Sequence, residues 1–170
     1  PPIDPVVLME QANGPEFYIV HFNRQPGVAA AAFADNTRRF LSNIYRTNVW
    51  HDTDENQPSG MSIVDMARID VQRGDLMMSE EELDVFVSAF QHSGFEAPCN
   101  WYRNFSRNWE LTSGLEHRVE HPALMIYGRY DMVRQVDMSD SVADLEIHTL
   151  DCGHWIQQEK PVETNDILID

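Results

Sequence analysis

The chain predicts an α/β protein: a long helical part, then a strand–helix–strand edge of a parallel sheet, then a closing helix. Three observations carry this. Apolar residues recur at helical spacing through most of the chain as far as Thr112. Two short apolar runs, Pro122 to Gly128 and Leu145 to Leu150, have the length and composition of strands. Each run ends near a residue able to do chemistry: Asp131 after the first, His154 in Asp151-Cys152-Gly153-His154-Trp155 after the second. The C-terminal ends of strands are where open α/β sheets hold their sites.

The elements follow in order. Asn13-Gly14-Pro15 introduces a helix through Phe17, Tyr18, Val20, His21 and Phe22, and Gln25-Pro26-Gly27 stops it. Val28 to Asp35 is alanine-rich and helix-favouring, and Thr37 to Arg46 continues in the same way. Thr47 to Ser62 is polar and rich in breakers, which predicts a surface loop. Ser79-Glu80-Glu81-Glu82 is a capping box, in which Ser79 accepts one orphan backbone N–H and Glu82 reaches back to another. The helix it opens places Leu83, Phe86, Val87 and Phe90 on one face and closes at Gly94. Pro98 starts a further helix carrying Trp101, Tyr102, Phe105 and Trp109. The pattern changes near Thr112-Ser113-Gly114, which divides the chain into residues 1–113 and 114–170. From Leu115 the order is strand, helix, strand, then an amphipathic helix from Pro161. Two strands are too few for a free-standing parallel sheet, which needs both faces covered and further strands beside it. The second part therefore reads as the edge of a larger sheet whose other strands lie outside this sequence.

Composition narrows the partners. The formal net charge of −16 over 170 residues argues against nucleic acid and against an anionic membrane, both of which would be repelled. Cys99 and Cys152, the two cysteines, make no disulfide framework, which points to a reducing cytoplasmic setting. No apolar run approaches the roughly 20 residues that span a bilayer. No signal-peptide pattern opens the chain. The sequon Asn104-Phe105-Ser106 falls inside a predicted helix.

An acid after one strand and a histidine after the next is the back half of a hydrolase triad, whose order in α/β sheets is nucleophile, acid, histidine. The alternative for His154 is a loop histidine satisfied by backbone contacts. Its place after a strand, with Asp131 after the neighbouring one, favours a base whose tautomer a carboxylate fixes. Asp137, Asp140 and Asp144 fall in or beside the expected crossover helix and read as solvated. His117-Arg118-Val119-Glu120-His121 matches a zinc-peptidase pattern, but Pro122 follows at once and the flanks are polar. A charged connector is the better reading, and no metal is assigned. Cys152 stands too close to His154 along an extended segment to serve as its nucleophile. No Gly-x-Ser-x-Gly or Gly-x-Asp-x-Gly elbow occurs in the chain. Tyr18 and Tyr102 lie in aromatic clusters on separate helices, and residue chemistry alone leaves each an ordinary core tyrosine.

Read together, these residues resemble the epoxide hydrolases of the α/β-hydrolase fold from Phe17 onward. Ser93-Gly94-Phe95 followed by Asn100-Trp101-Tyr102-Arg103-Asn104 is similar to the family's cap segment bearing one ring-opening tyrosine. Phe17-Tyr18-Ile19-Val20-His21-Phe22, then Pro26-Gly27-Val28, is similar to the segment bearing the other, with a spacing from Phe22 to Pro26 one residue longer than in the mammalian soluble enzymes. Gly128-Arg129-Tyr130-Asp131 matches the acid turn. Asp151-Cys152-Gly153-His154-Trp155 with Glu159-Lys160-Pro161 is close to the histidine loop.

The resemblance implies an α/β-hydrolase remnant in which residues 1–113 form a helical cap and 114–170 the C-terminal part of the core. It implies hydrolysis of a small apolar epoxide to a vicinal diol, with Tyr18 and Tyr102 donating to the epoxide oxygen. An aspartate from a missing N-terminal half, on the same or a separate chain, would form an ester, and His154, oriented by Asp131, would activate the water that hydrolyses it. No cofactor is required. Phe22, Val133 and Trp155 are the expected substrate-lining residues. A homo-oligomer stays open. The alternatives are a haloalkane or haloacid dehalogenase of the same fold, which lacks the tyrosine pair, and an inactive cap or interaction fragment.

Overall fold

A computed structural model describes residues 2–47, 62–70, 74–133 and 135–169. They fall into two compact units. One holds the described residues as far as Ile44, residues 62–70, and Ser79–Leu115; the other holds 45–47, 74–78 and 116–169. The change from helical to sheet-bearing chain thus lies between Leu115 and Glu116, and two short earlier stretches belong to the sheet-bearing unit.

Eight helices among the described residues build the first unit: α1 (Pro5–Asn13), α2 (Tyr18–Arg24), α3 (Val28–Asp35), α4 (Thr37–Ile44), α5 (Ile63–Arg68), α6 (Glu80–Ser93), α7 (Glu96–Arg103) and α8 (Phe105–Thr112). Their ends are written in the sequence. Asp4 accepts the Val6 N–H at 2.8 Å with Pro5 in the first turn, so α1 starts one residue before its proline-free stretch. Gly27, in the left-handed region at φ 83°, turns the chain from α2 into α3. The capping box of α6 is complete in both directions.

The core of this unit is aromatic. Phe33 stacks on Phe40 at 3.8 Å between ring centroids, Phe90 stacks on Phe95 at 4.6 Å, and Phe95 meets both Phe33 and Phe40 edge-on. On α6 only Leu83 and Val87 are buried, while Phe86 and Phe90 are half-buried. Asn43 is the buried polar anchor: its Nδ2 donates to the carbonyls of Met66 (2.9 Å) and Ile69 (2.8 Å), satisfying the last turn of α5.

The expected loop from Thr47 to Ser62 lies outside the described residues over 48–61, and Ser62, its last residue, accepts the N–H groups of Val64 and Asp65 and opens α5. Two expectations are corrected. The expected helix from Pro98 is two, α7 and α8, meeting at Asn104, whose side-chain amide donates to the carbonyl of Asn100.

The second correction concerns the second unit. Strands β1 (Ala123–Gly128) and β2 (Leu145–Leu150) pair in parallel, Ala123 opposite Leu145 through Gly128 opposite Leu150. Among the described residues between them there is no crossover helix. Local side-chain bonds hold the backbone in turns instead: Asp131 accepts from Val133 N at 2.8 Å, and Asp137 accepts from Ser139 N at 3.0 Å. Asp137, Asp140 and Asp144 are exposed on this irregular connection. His117 to His121 is extended and exposed, bridged to Val142 through Val119, so its histidines share no helix face.

Helices α9 (Ile156–Glu159) and α10 (Pro161–Ile169) close the chain. No residue of β1 or β2 is buried, and on α10 Val162, Leu168 and Ile169 are 66, 62 and 82% exposed. A parallel pair this apolar and this open has the surface of a sheet that takes further cover. Among the described residues no helix is long and apolar enough to cross a membrane.

Candidate active site

The acid turn and the histidine loop leave the adjacent ends of β1 and β2 and are tied together by backbone. Arg129 N donates to Leu150 O at 2.8 Å and Tyr130 N to Cys152 O at 3.0 Å. Gly128 stands where the loops cross: a Cβ there would collide with the carbonyl oxygen of Gly153 and come within 3.0 Å of that of Cys152. Gly128→Ala must push the histidine loop away from the acid turn. The expected cost is about 3 kcal/mol, the upper range of overpacking, read as a lowered unfolding midpoint in chemical denaturation.

Across this crossing, His154 Nδ1 lies 2.9 and 3.1 Å from the two carboxylate oxygens of Asp131. A carboxylate accepts and does not donate, so Nδ1 carries the proton and Nε2 the lone pair. The Asp131 side chain is 12% exposed and that of His154 36%, a shielded acid beside an imidazole that water can reach. Asp131 is further held by Val133 N, and Val133 itself is exposed. Trp155 packs edge-on against the His154 ring at 5.0 Å and, tilted, against Tyr45 at 4.5 Å. On the far side of the loop, the Glu159 carboxylate accepts from Gly153 N (2.9 Å) and Trp155 N (3.2 Å).

Cys152 is buried, and burial first, then the neighbouring Glu159 charge, pushes its thiol up to about 11. Cys99 is likewise pushed up to about 11 by burial and by Glu96. Neither thiol is a ready nucleophile at neutral pH.

The helical unit brings the two tyrosines together. Tyr18 opens α2 and Tyr102 lies in the last turn of α7, and their rings meet edge-on with centroids 5.2 Å apart. Phe22 is buried beneath them and touches both, at 5.9 Å from Tyr18 and 5.5 Å from Tyr102. It supports the pair from within the core. Burial, then the Cys99 thiol, raises the Tyr102 hydroxyl above the ordinary phenol value, which keeps it a donor at neutral pH. Asn23 joins the two helices, its Nδ2 donating to Ile19 O (2.7 Å) on α2 and Tyr102 O (3.1 Å) on α7. Asn23→Leu removes both bonds and is expected to cost about 1–2 kcal/mol and to weaken the near-ultraviolet dichroism of the ring pair.

No family model matches the chain. It is 32% identical to the bifunctional epoxide hydrolase 2 of Rattus norvegicus over 182 aligned positions, covering 99% of this chain and 32% of the relative. It is 38% identical to epoxide hydrolase A of Mycobacterium tuberculosis over 100 positions, covering 55% of this chain and 31% of that protein. Among solved structures, epoxide hydrolase A of Mycobacterium thermoresistibile superposes with a TM-score of 0.84 at 31% identity, covering 99% of this chain and 56% of that one. An epoxide hydrolase of Solanum tuberosum gives a TM-score of 0.79 at 25% identity, over 100% of this chain and 56% of that one. The chain belongs to the epoxide hydrolases of the α/β-hydrolase fold. It spans about a third of the length of the curated epoxide hydrolases it matches and about half of the solved ones.

In this epoxide hydrolase family member, the sequence points to Asp131 with His154 and Tyr18 with Tyr102, contains Gly128 and Glu159 in its motifs without showing that they hold the site, and gives no sign of Asn23. Asn23, Gly128 and the Glu159 carboxylate act through contacts made after folding. The available signals were a glycine ending a strand and an acid four residues beyond the histidine-flanking Trp155.

Proposed function

We propose that the protein hydrolyses epoxides to vicinal diols through an aspartyl ester, the aspartate coming from a segment outside this chain. The observation that carries the reading is the edge-on pair of Tyr18 and Tyr102, because two phenols donate to an alkoxide and have no counterpart in halide release. The aspartate carboxylate attacks one ring carbon. The carbon–oxygen bond breaks toward oxygen, which takes a proton from one tyrosine while the other donates a hydrogen bond. Water then attacks the ester carbonyl as His154 Nε2 removes its proton; the imidazolium returns that proton to the departing diol oxygen, and the tyrosinate recovers its own through solvent from the carboxylic acid as the aspartate is regenerated. Asp131 fixes the His154 tautomer and stabilises the imidazolium. No step calls for a metal or organic cofactor.

The open strand pair and the exposed face of α10 support further strands beside β1, from the same or a separate chain. On this reading the 170-residue chain alone is inactive. A reducing cytoplasm suits Cys99 and Cys152, which are free and buried. The test is turnover of a small apolar epoxide and of a haloalkane by the full-length protein. Diol formation without halide release supports the reading; halide release without diol formation replaces it with a dehalogenase, and neither leaves an inactive fragment.

A further inference from the structure

Glu159 grips the peptide on both sides of His154. Oxygen Oε2 accepts from Gly153 N at 2.9 Å and Oε1 from Trp155 N at 3.2 Å, both part-buried. Trp155 is the N-cap of α9 and Gly153 precedes it, so neither N–H has an acceptor one turn back within the helix. A carboxylate is the one side-chain group that accepts from two convergent donors with two equivalent oxygens. The His154 backbone is thereby held at both flanks, while Asp131 holds only its ring. Two separate constraints set where the imidazole points. Gly128 supplies the third boundary, since Gly153 O is pressed against it and the loop has no room to relax on that side.

We infer that Glu159 is a positioning residue for His154: its carboxylate clamps the histidine loop so that Nδ1 meets Asp131 and Nε2 is aimed for proton removal. The inference rests on the proposed reaction only for which step it affects. Removing the clamp leaves the aspartate and the tyrosines untouched, so the loss falls on ester hydrolysis, where a displacement of about 1 Å costs up to about 100-fold.

The test uses the full-length protein with Glu159→Gln, which keeps one acceptor and turns an amide N–H toward the other donor, and Glu159→Asp, which is one methylene shorter. Single-turnover measurements with a small apolar epoxide separate ester formation from ester hydrolysis. In Glu159→Gln, hydrolysis should slow about 10- to 100-fold while ester formation changes less than about 2-fold. The proton nuclear magnetic resonance signal of the His154 Nδ1–H bound to Asp131 should broaden or vanish. Glu159→Asp should lie between Glu159→Gln and the parent in both readouts. Equal loss of both steps, or an unchanged hydrolysis rate and an unchanged signal, overturns the clamp. If the parent protein opens no epoxide, the proposed function falls, and the His154 signal in the variants still decides the clamp.

Discussion

In the full-length protein, His154→Gln is expected to open an epoxide at nearly the normal rate and then stop, holding one equivalent of substrate as an ester. Glutamine fills a similar volume and its amide can still donate to Asp131, so the loop crossing at Gly128 is kept. It has no basic nitrogen, so the attacking water loses the group that takes its proton. Losing a positioned general base costs about 10² to 10⁴ in rate. On the proposed mechanism the base acts only on the second step, so the covalent species should accumulate and become visible. Intact mass should rise by one substrate mass per chain within a single burst, with steady turnover falling by that factor. A variant that turns over normally would remove His154 from the mechanism.

The pair behind this prediction was legible because both partners sit at strand ends, where chain order and strand length bring them together. Asp131 and His154 each follow an apolar run, and the parallel register pairs the last residues of those runs, Gly128 and Leu150. Helix α6 was equally readable, since its cap, its apolar spacing and its closing glycine agree. Where such signals conflict, the reading failed. The connection from Arg129 to Asp144 has the length of a crossover helix, but Asp131 and Asp137 bond to their own following backbone and hold it in turns. Helix α5 follows a breaker-rich stretch and is short, though Ser62 announced it. Asn104 interrupts what periodicity alone continues from Trp101 to Trp109.

The remaining misses share a cause. Glu159, Asn23 and Asn43 earn their roles by reaching backbone groups of other turns or helices, and a side chain's backbone partner leaves no periodic trace. Asn43 finds the carbonyls of Met66 in α5 and of Ile69 just past its end, more than twenty positions away. Asn23 finds Tyr102 O across 79 positions. Such contacts follow from helix packing, which spacing on either helix alone does not specify.

The same packing sets up the largest expected effect in the protein. Tyr18 and Tyr102 come from helices far apart in sequence, yet their rings touch at 5.2 Å with Phe22 beneath both. On the proposed mechanism the alkoxide that forms as the ring opens is stabilised by both hydroxyls at once. Tyr18→Phe or Tyr102→Phe alone should slow ester formation by about 10² to 10³, the scale of losing one oxyanion donor. With both replaced, no donor remains for the leaving oxygen, and ring opening should fall below detection. Phenylalanine keeps the ring and hence the edge contact, so the unfolding midpoint of each variant should stay within about 1 kcal/mol of the parent. The step affected is the opposite of that in His154→Gln. Ester hydrolysis should keep its normal rate, so no ester should accumulate in the single variants. Two single variants that open epoxides as fast as the parent would show that the edge-on pair is core packing and that another group donates to the leaving oxygen.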